Sequence, residues 1–202
     1  MTRAQGAAFF LFSVAAAGTP GPSNALLTAT GANVGVARGL PALLGVGAGM
    51  GTMMFLVAFG LGAVLLEHPM VAKAAKWCGA VFLLYLAWKV GTAGRAGPLG
   101  GPLGGSRPIG FIGAAAFQVV NPKSWLTCAS AAATFVDQGA GNALGQSAAL
   151  ALTFVLAALP SCFPWLAFGA ALQRMLRSER AARVFNVLMG ALLAAAVILF
   201  VR

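Results

Sequence analysis

Between Ala4 and Ala37 there is no charged residue, and in the middle of that run stands Thr19-Pro20-Gly21-Pro22-Ser23-Asn24. The apolar stretch around it, about Ala7 to Gly31, is long enough to cross a hydrocarbon core, which takes about 20 residues. Proline lacks a donor N–H and collides with the preceding turn. A helix carrying Pro20 and Pro22 therefore opens between its two apolar halves. Arg3, the apolar run and Ala15-Ala16-Ala17 also fit a cleavable signal sequence, but the apolar run resumes after Pro22, as in a broken span.

Composition carries that reading to the rest of the chain. The 202 residues are 60% hydrophobic and 8% charged, against about 45–50% and 25% in soluble proteins. So few charges cannot cover a water-facing surface. Six spans of about 20 residues need about 120 apolar residues, which is nearly the whole apolar content. The fold class is therefore all-α integral membrane, with little chain left for a soluble catalytic domain. The net charge of +10 comes from Lys and Arg between apolar segments or at their ends. That placement suits topology signals and contact with membrane lipid. It does not make the aromatic-interleaved face that nucleic acid requires. Cys78, Cys128 and Cys162 form no CxxC, and His68 is the single histidine, so no metal site and no cofactor are expected.

The second span runs from Gly39 to Leu66 and carries Gly45, Gly47, Gly49 and Gly51. Met50 stands where a dinucleotide fingerprint starting at Gly45 would need its third glycine. Small residues four apart let helices approach closely in lipid, or the same glycines line a cavity. A third span covers about Val71 to Gly91, with Lys73, Lys76 and Lys89 able to snorkel from its ends. Residues 92–107 contain Pro98-Leu99-Gly100-Gly101 followed at once by Pro102-Leu103-Gly104-Gly105, a flexible low-complexity linker. The fourth span, about Pro108 to Phe135, is broken at Asn121-Pro122-Lys123. The fifth covers about Leu144 to Leu172 and contains Pro160 and Pro164. The sixth covers about Val184 to Val201.

The linker separates residues 1–91 from residues 108–202, three spans each. Each half opens on a span broken at proline. Three spans per half give the halves opposite orientations, the inverted-repeat arrangement of secondary transporters, whose binding sites lie at paired broken helices. On six spans, Arg38, Lys89, Arg95, Arg107, Arg174, Arg177, Arg180 and Arg183 fall on one side, against Arg3, Lys73, Lys76 and Arg202 on the other. The richer side is cytoplasmic by the positive-inside rule, with both termini outside.

Lys123 lies midway along the fourth span. A cation there costs at least about 2.5–3.5 kcal/mol, and no acid lies in any span. Asp137 is fourteen positions on, roughly 21 Å along a helix. Lys123 must then snorkel, or face a watery cavity, freed carbonyls or an anionic ligand. The helix starting after Pro22 offers N–H groups near Ser23 and Asn24, suited to a carboxylate. The helix ending before it offers carbonyls near Gly18 and Thr19, suited to an ammonium group. The pair matches a zwitterion, with Lys123, Gln118 and Asn121 adding to the second break. The expected substrate site is Gly21, Ser23, Asn24, Gln118, Asn121 and Lys123, with Met50, Met53, Phe117 and Trp125 as apolar lining.

These motifs resemble the LysE/RhtB family of bacterial amino-acid exporters. The resemblance rests on Thr19-Pro20-Gly21-Pro22-Ser23-Asn24 and on Arg38-Gly39-Leu40 entering the glycine-rich span. It extends to Lys76-Trp77-Cys78-Gly79-Ala80 with Leu83-Leu84-Tyr85-Leu86-Ala87-Trp88-Lys89, and to Phe111-Ile112-Gly113 leading to Asn121-Pro122-Lys123. It implies six helices in two inverted halves in the bacterial inner membrane. It also implies proton-driven export of amino acids or related metabolites, with a binding role for both broken motifs. Met50 stands where many relatives carry an acid, so proton coupling is left open at that position. Ala133-Thr134-Phe135 replaces a common Pro-Gln-Phe.

Two other functions stay in competition. A passive small-solute channel would conduct without coupling. A membrane thiol-redox carrier would need paired thiols beside the breaks, and Cys78 is away from the first while Cys128 lies six residues past the second. No catalytic triad, metal cluster or carboxylate pair supports an enzyme. The expected partners are a small zwitterionic substrate and membrane lipid, with a homodimer left open. The three acids, Glu67, Asp137 and Glu179, sit near span ends or in loops. A cationic side chain at midmembrane would lack a counter-charge, so the expected substrate is a neutral amino acid.

Overall fold

A computed structural model describes residues 2–61, 69–92, 109–137, 141–175 and 178–201. Apart from Thr92, the linker expected at 92–107 lies outside these residues, as do Glu67, His68 and the side chain of Cys78. The described chain is helical, without strands: α1 (Arg3–Gly18), α2 (Pro22–Leu56) running into a π-helical turn (Val57–Leu61), α3 (Pro69–Gly91), α4 (Phe111–Val120), α5 (Pro122–Phe135), α6 (Ala143–Met175) and α7 (Glu179–Val201). Both sequence breaks are present. Helix α1 ends at Gly18 and α2 starts at Pro22; α4 ends at Val120 and α5 starts at Pro122. Each restart has proline at its first position, where the missing N–H would have had no helical partner.

The boundary expected between Gly31 and Gly39 falls at Gly35, with hardly any loop between the first span and the second. Within Pro22–Leu56 two helices abut at a sharp bend at Gly35, whose φ of 77° and ψ of 176° belong to a region open essentially to glycine alone. The bend reverses the chain along α6. Before it, Phe9 meets Phe154, the Ala17 carbonyl meets Cys162 and Thr28 meets Trp165, in parallel order. After it, Gly39, Gly47 and Gly51 meet Leu166, Leu159 and Val155, in antiparallel order.

The same reading orients the other helices. Gly45 and Gly49 face Phe111 and Ala115, so α4 runs parallel to the second part of α2 and opposite to the first. Helices α3 and α7 are antiparallel, with Ala87 against Gly190 and Gly91 against Asn186. The four glycines of the second part of α2 thus divide into two facing pairs, one against α4 and one against α6. None lines the central cavity, which decides for close packing. The approach is tightest where Gly169 of α6 crosses the Thr28 carbonyl, since a Cβ there would overlap that oxygen.

Three apolar clusters surround the breaks. The first joins Phe9, Met53, Met54, Cys128, Leu150 and Phe154; the second Leu26, Phe117 and Leu193; the third Leu27, Val46, Cys162 and Leu166. The exterior is apolar too, with Ile112 81% and Leu126 71% exposed. So much exposed large apolar surface marks an interaction face rather than a water boundary. Among the described residues, Pro22–Leu61, which bends back at Gly35, and Ala143–Leu172 contain stretches long and apolar enough to cross a bilayer.

Candidate functional site

At the first break, termination of α1 at Gly18 frees the last carbonyls of that helix. Side chains take them up. The Ala17 carbonyl accepts from Asn24 Nδ2 at 2.9 Å and from Cys162 Sγ at 3.6 Å, and the Gly18 carbonyl from Trp165 Nε1 at 3.1 Å. The Thr19 carbonyl accepts from Asn24 Nδ2 at 2.8 Å and from Lys123 Nζ at 2.6 Å. The carbonyls expected to await a ligand's ammonium are therefore occupied, the outermost by the lysine itself. The reason is general: the end of a helix leaves its last carbonyls without intrahelical donors, and side-chain donors take that place.

At the second break, Asn121 caps α5 by accepting from its own Lys123 N–H at 3.1 Å, and its amide donates to Ser23 Oγ at 2.8 Å. Ser23 in turn donates to Gln118 Oε1 at 2.9 Å. The same oxygen accepts from Ser124 Oγ at 3.0 Å and from Asn121 Nδ2 at 3.4 Å. The Gln118 amide is held on the Ala114 carbonyl at 3.2 Å. The two breaks, about a hundred residues apart in sequence, are thus stitched into one polar junction. The Lys123 side chain runs close over Gly21 and would have to shift for a Cβ there. A Cβ at Gly21 would lie 2.8 Å from Lys123 Cδ and 3.2 Å from Nζ.

Asn24 departs from this completeness. Its side chain is 2% exposed and its Oδ1 has no hydrogen-bond partner. A buried acceptor left unpaired costs about 1–3 kcal/mol.

The junction borders a cavity of about 30 Å³, lined by Gly21, Ser23, Asn24, Met50, Asn121 and Lys123 of the expected site. That is room for about one water molecule, whereas ligand pockets start at roughly 300 Å³. An amino acid enters only if side chains move, so this is a closed form. Lys123 is the one charged residue of the lining, and neither Asp137 nor Glu179 belongs to it. Gln118 stands directly behind, through Ser23.

Three expected lining residues are elsewhere. Met53 is buried in the first cluster and Phe117 in the second. Trp125 packs on the first cluster with its Nε1 donating to the Val119 carbonyl at 2.6 Å. In their place the cavity has Ser124, Thr127, Phe154, Ala158 and Cys162, with Ala16, Ala17 and Val46. Phe154, Ala158 and Cys162 recur every fourth residue along α6, a stripe the sequence displays.

The LysE-type translocator model matches residues 14–202. The chain belongs to the LysE-type translocator family. It is accordingly a membrane transporter and not an enzyme. Relatives of this translocator include a cysteine/O-acetylserine efflux protein of Salmonella choleraesuis (strain SC-B67). It is 30% identical over 192 residues, covering 92% of each chain. Proteins of the same description from Salmonella typhimurium and from Escherichia coli (strain K12) are 30% and 29% identical over 192 and 189 residues, again over 92% of each chain. No solved structure matches the translocator significantly.

Proposed function

We propose that the chain exports a small neutral amino acid across the bacterial inner membrane, driven by the proton gradient. Its six spans form two inverted halves, residues 1–91 and 108–202, joined by residues 92–107. Helix α1 with the first part of α2 is one broken span; α4 with α5 is its counterpart. Three antiparallel relations support this: the two broken spans, the second part of α2 with α6, and α3 with α7.

One observation carries the substrate reading. The sole cation of the cavity, Lys123, bridges the two breaks without an acidic partner in the lining. A carboxylate entering the opened cavity finds Lys123 and the N–H groups starting α2. Its ammonium group finds the acceptors about Thr19. The side-chain end meets Met50, Phe154, Ala158 and Cys162, with Thr127 and Ser124 for a small polar group. The described lining holds no carboxylate for a lysine or arginine side chain. The relatives described as cysteine/O-acetylserine exporters handle substrates of this neutral zwitterionic kind. The acid missing at Met50 leaves Lys123 as the ionisable group placed for proton coupling.

The test is efflux from vesicles loaded with labelled cysteine, O-acetylserine, threonine, leucine, lysine or arginine, under an imposed proton gradient. Gradient-dependent efflux of neutral substrates is the expected outcome. Efflux confined to lysine and arginine would overturn the substrate class. Flux indifferent to the gradient would make the protein a passive channel.

A further inference from the structure

We infer that Asn24 Oδ1 is the acceptor for the substrate's ammonium group, an assignment that rests on the exporter reading above. Two carbonyls determine how the Asn24 amide is oriented. Ala17 O and Thr19 O both lie within hydrogen-bond distance of Nδ2. Reversing the amide would set oxygen against two oxygens, so the NH₂ group is pinned and Oδ1 is turned away from them.

That oxygen belongs to a side chain of the cavity lining and is the one buried side-chain atom without a partner among the described residues. The hydroxyl and amide donors of the polar junction are already committed. The Ser23 and Ser124 hydroxyls donate to Gln118, and the Asn121 amide to Ser23 and Gln118. In the small cavity a water molecule has room to serve it; on our assignment a bound substrate takes that place. A carboxylate has no proton to give, whereas an ammonium group has three.

The neighbouring cation fixes the polarity of binding. Lys123 Nζ and Asn24 Nδ2 share the Thr19 carbonyl at 2.6 and 2.8 Å, so cation and orphan acceptor stand on adjacent side chains. An α-amino acid carries its two charges on groups attached to one carbon. With its carboxylate drawing Lys123 off Thr19, its ammonium comes to Asn24 Oδ1 and to the carbonyl the lysine has left. Lys123 thereby fills the ammonium position while the carrier is empty.

The experiment uses the full-length protein in liposomes under reductant, measuring transport of labelled L-cysteine. The competitors are L-cysteine, cysteamine (no carboxylate) and 3-mercaptopropionate (no ammonium). In wild type, 3-mercaptopropionate should compete at least about tenfold more weakly than cysteine, the loss of a hydrogen bond to a charged group. In Asn24→Ala that ratio should fall toward one as cysteine itself weakens. In Asn24→Asp, cysteamine should gain on cysteine. Wild-type transport with an unchanged ratio in Asn24→Ala overturns the inference alone. Equal competition by cysteine and 3-mercaptopropionate in wild type overturns it without recourse to any variant. Transport of none of the neutral amino acids by wild type would remove the exporter reading and the inference together.

Discussion

Lys123→Met separates a transport role from a folding role, because the energies of the folded protein nearly cancel. The lysine contributes a charge-assisted hydrogen bond to the Thr19 carbonyl at 2.6 Å, worth about 1.5–3 kcal/mol. Holding a cation in a span costs about 2.5–3.5 kcal/mol. The substitution loses the first and relieves the second. It does not strand the carbonyl, which keeps the Asn24 amide at 2.8 Å. Folded stability should therefore change by only about 1 kcal/mol. Export should not survive so well. The substrate carboxylate loses a hydrogen bond to a charged group, about 1.5–3 kcal/mol, which is roughly a ten- to hundredfold loss at 1.36 kcal/mol per decade. The assay pairs folded yield and melting temperature in detergent with efflux of labelled O-acetylserine. Export at the wild-type rate would remove Lys123 from the site. Collapse of the folded yield would make the lysine a structural strut and refute the cancellation.

Gly35→Ala places a Cβ on a backbone at φ 77°, ψ 176°. It should cost about 1–3 kcal/mol, read as a lower melting temperature with the cavity chemistry untouched. Replacing Cys78 and Cys128 with alanine should leave most export intact, since neither is among the described residues of the cavity lining; lost efflux at normal folded yield would bring a thiol into the mechanism.

Both helix breaks were legible in the sequence because proline announces them through a missing donor and a fixed ring. The reversal between Gly31 and Gly39 was legible as a boundary of two spans, but not the residue that makes it. A positive φ leaves no mark beyond a glycine, and the neighbouring segment has many. The polar members of the site were legible for a related reason: Ser23, Asn24, Asn121 and Lys123 are unusual residues in apolar surroundings. The apolar lining was harder to read. Successive helix residues point about 100° apart, so Phe117, next to Gln118, faces elsewhere, and Trp125 lies on roughly the opposite side of the helix from Lys123. Met53 shares a side of the helix with Met50 but sits one turn deeper, among Phe9 and Phe154. Nearness to a break in sequence gives depth along the helix, not direction around it. Phe154, Ala158 and Cys162 come from α6, which carries neither break, and only the packed bundle brings them to the cavity.

The polar junction has an uneven fragility. Ser23, Ser124 and Asn121, drawn from both halves of the chain, all direct a proton to the single Oε1 of Gln118. Each of these donors is one of three, and the loss of Ser124 leaves the oxygen served by two others. The loss of the oxygen takes the acceptor from both serine hydroxyls at once, while the Asn121 amide keeps Ser23 Oγ at 2.8 Å; each unmet buried group is penalised. Like a ring holding several guy-ropes, the atom matters more than any one rope tied to it.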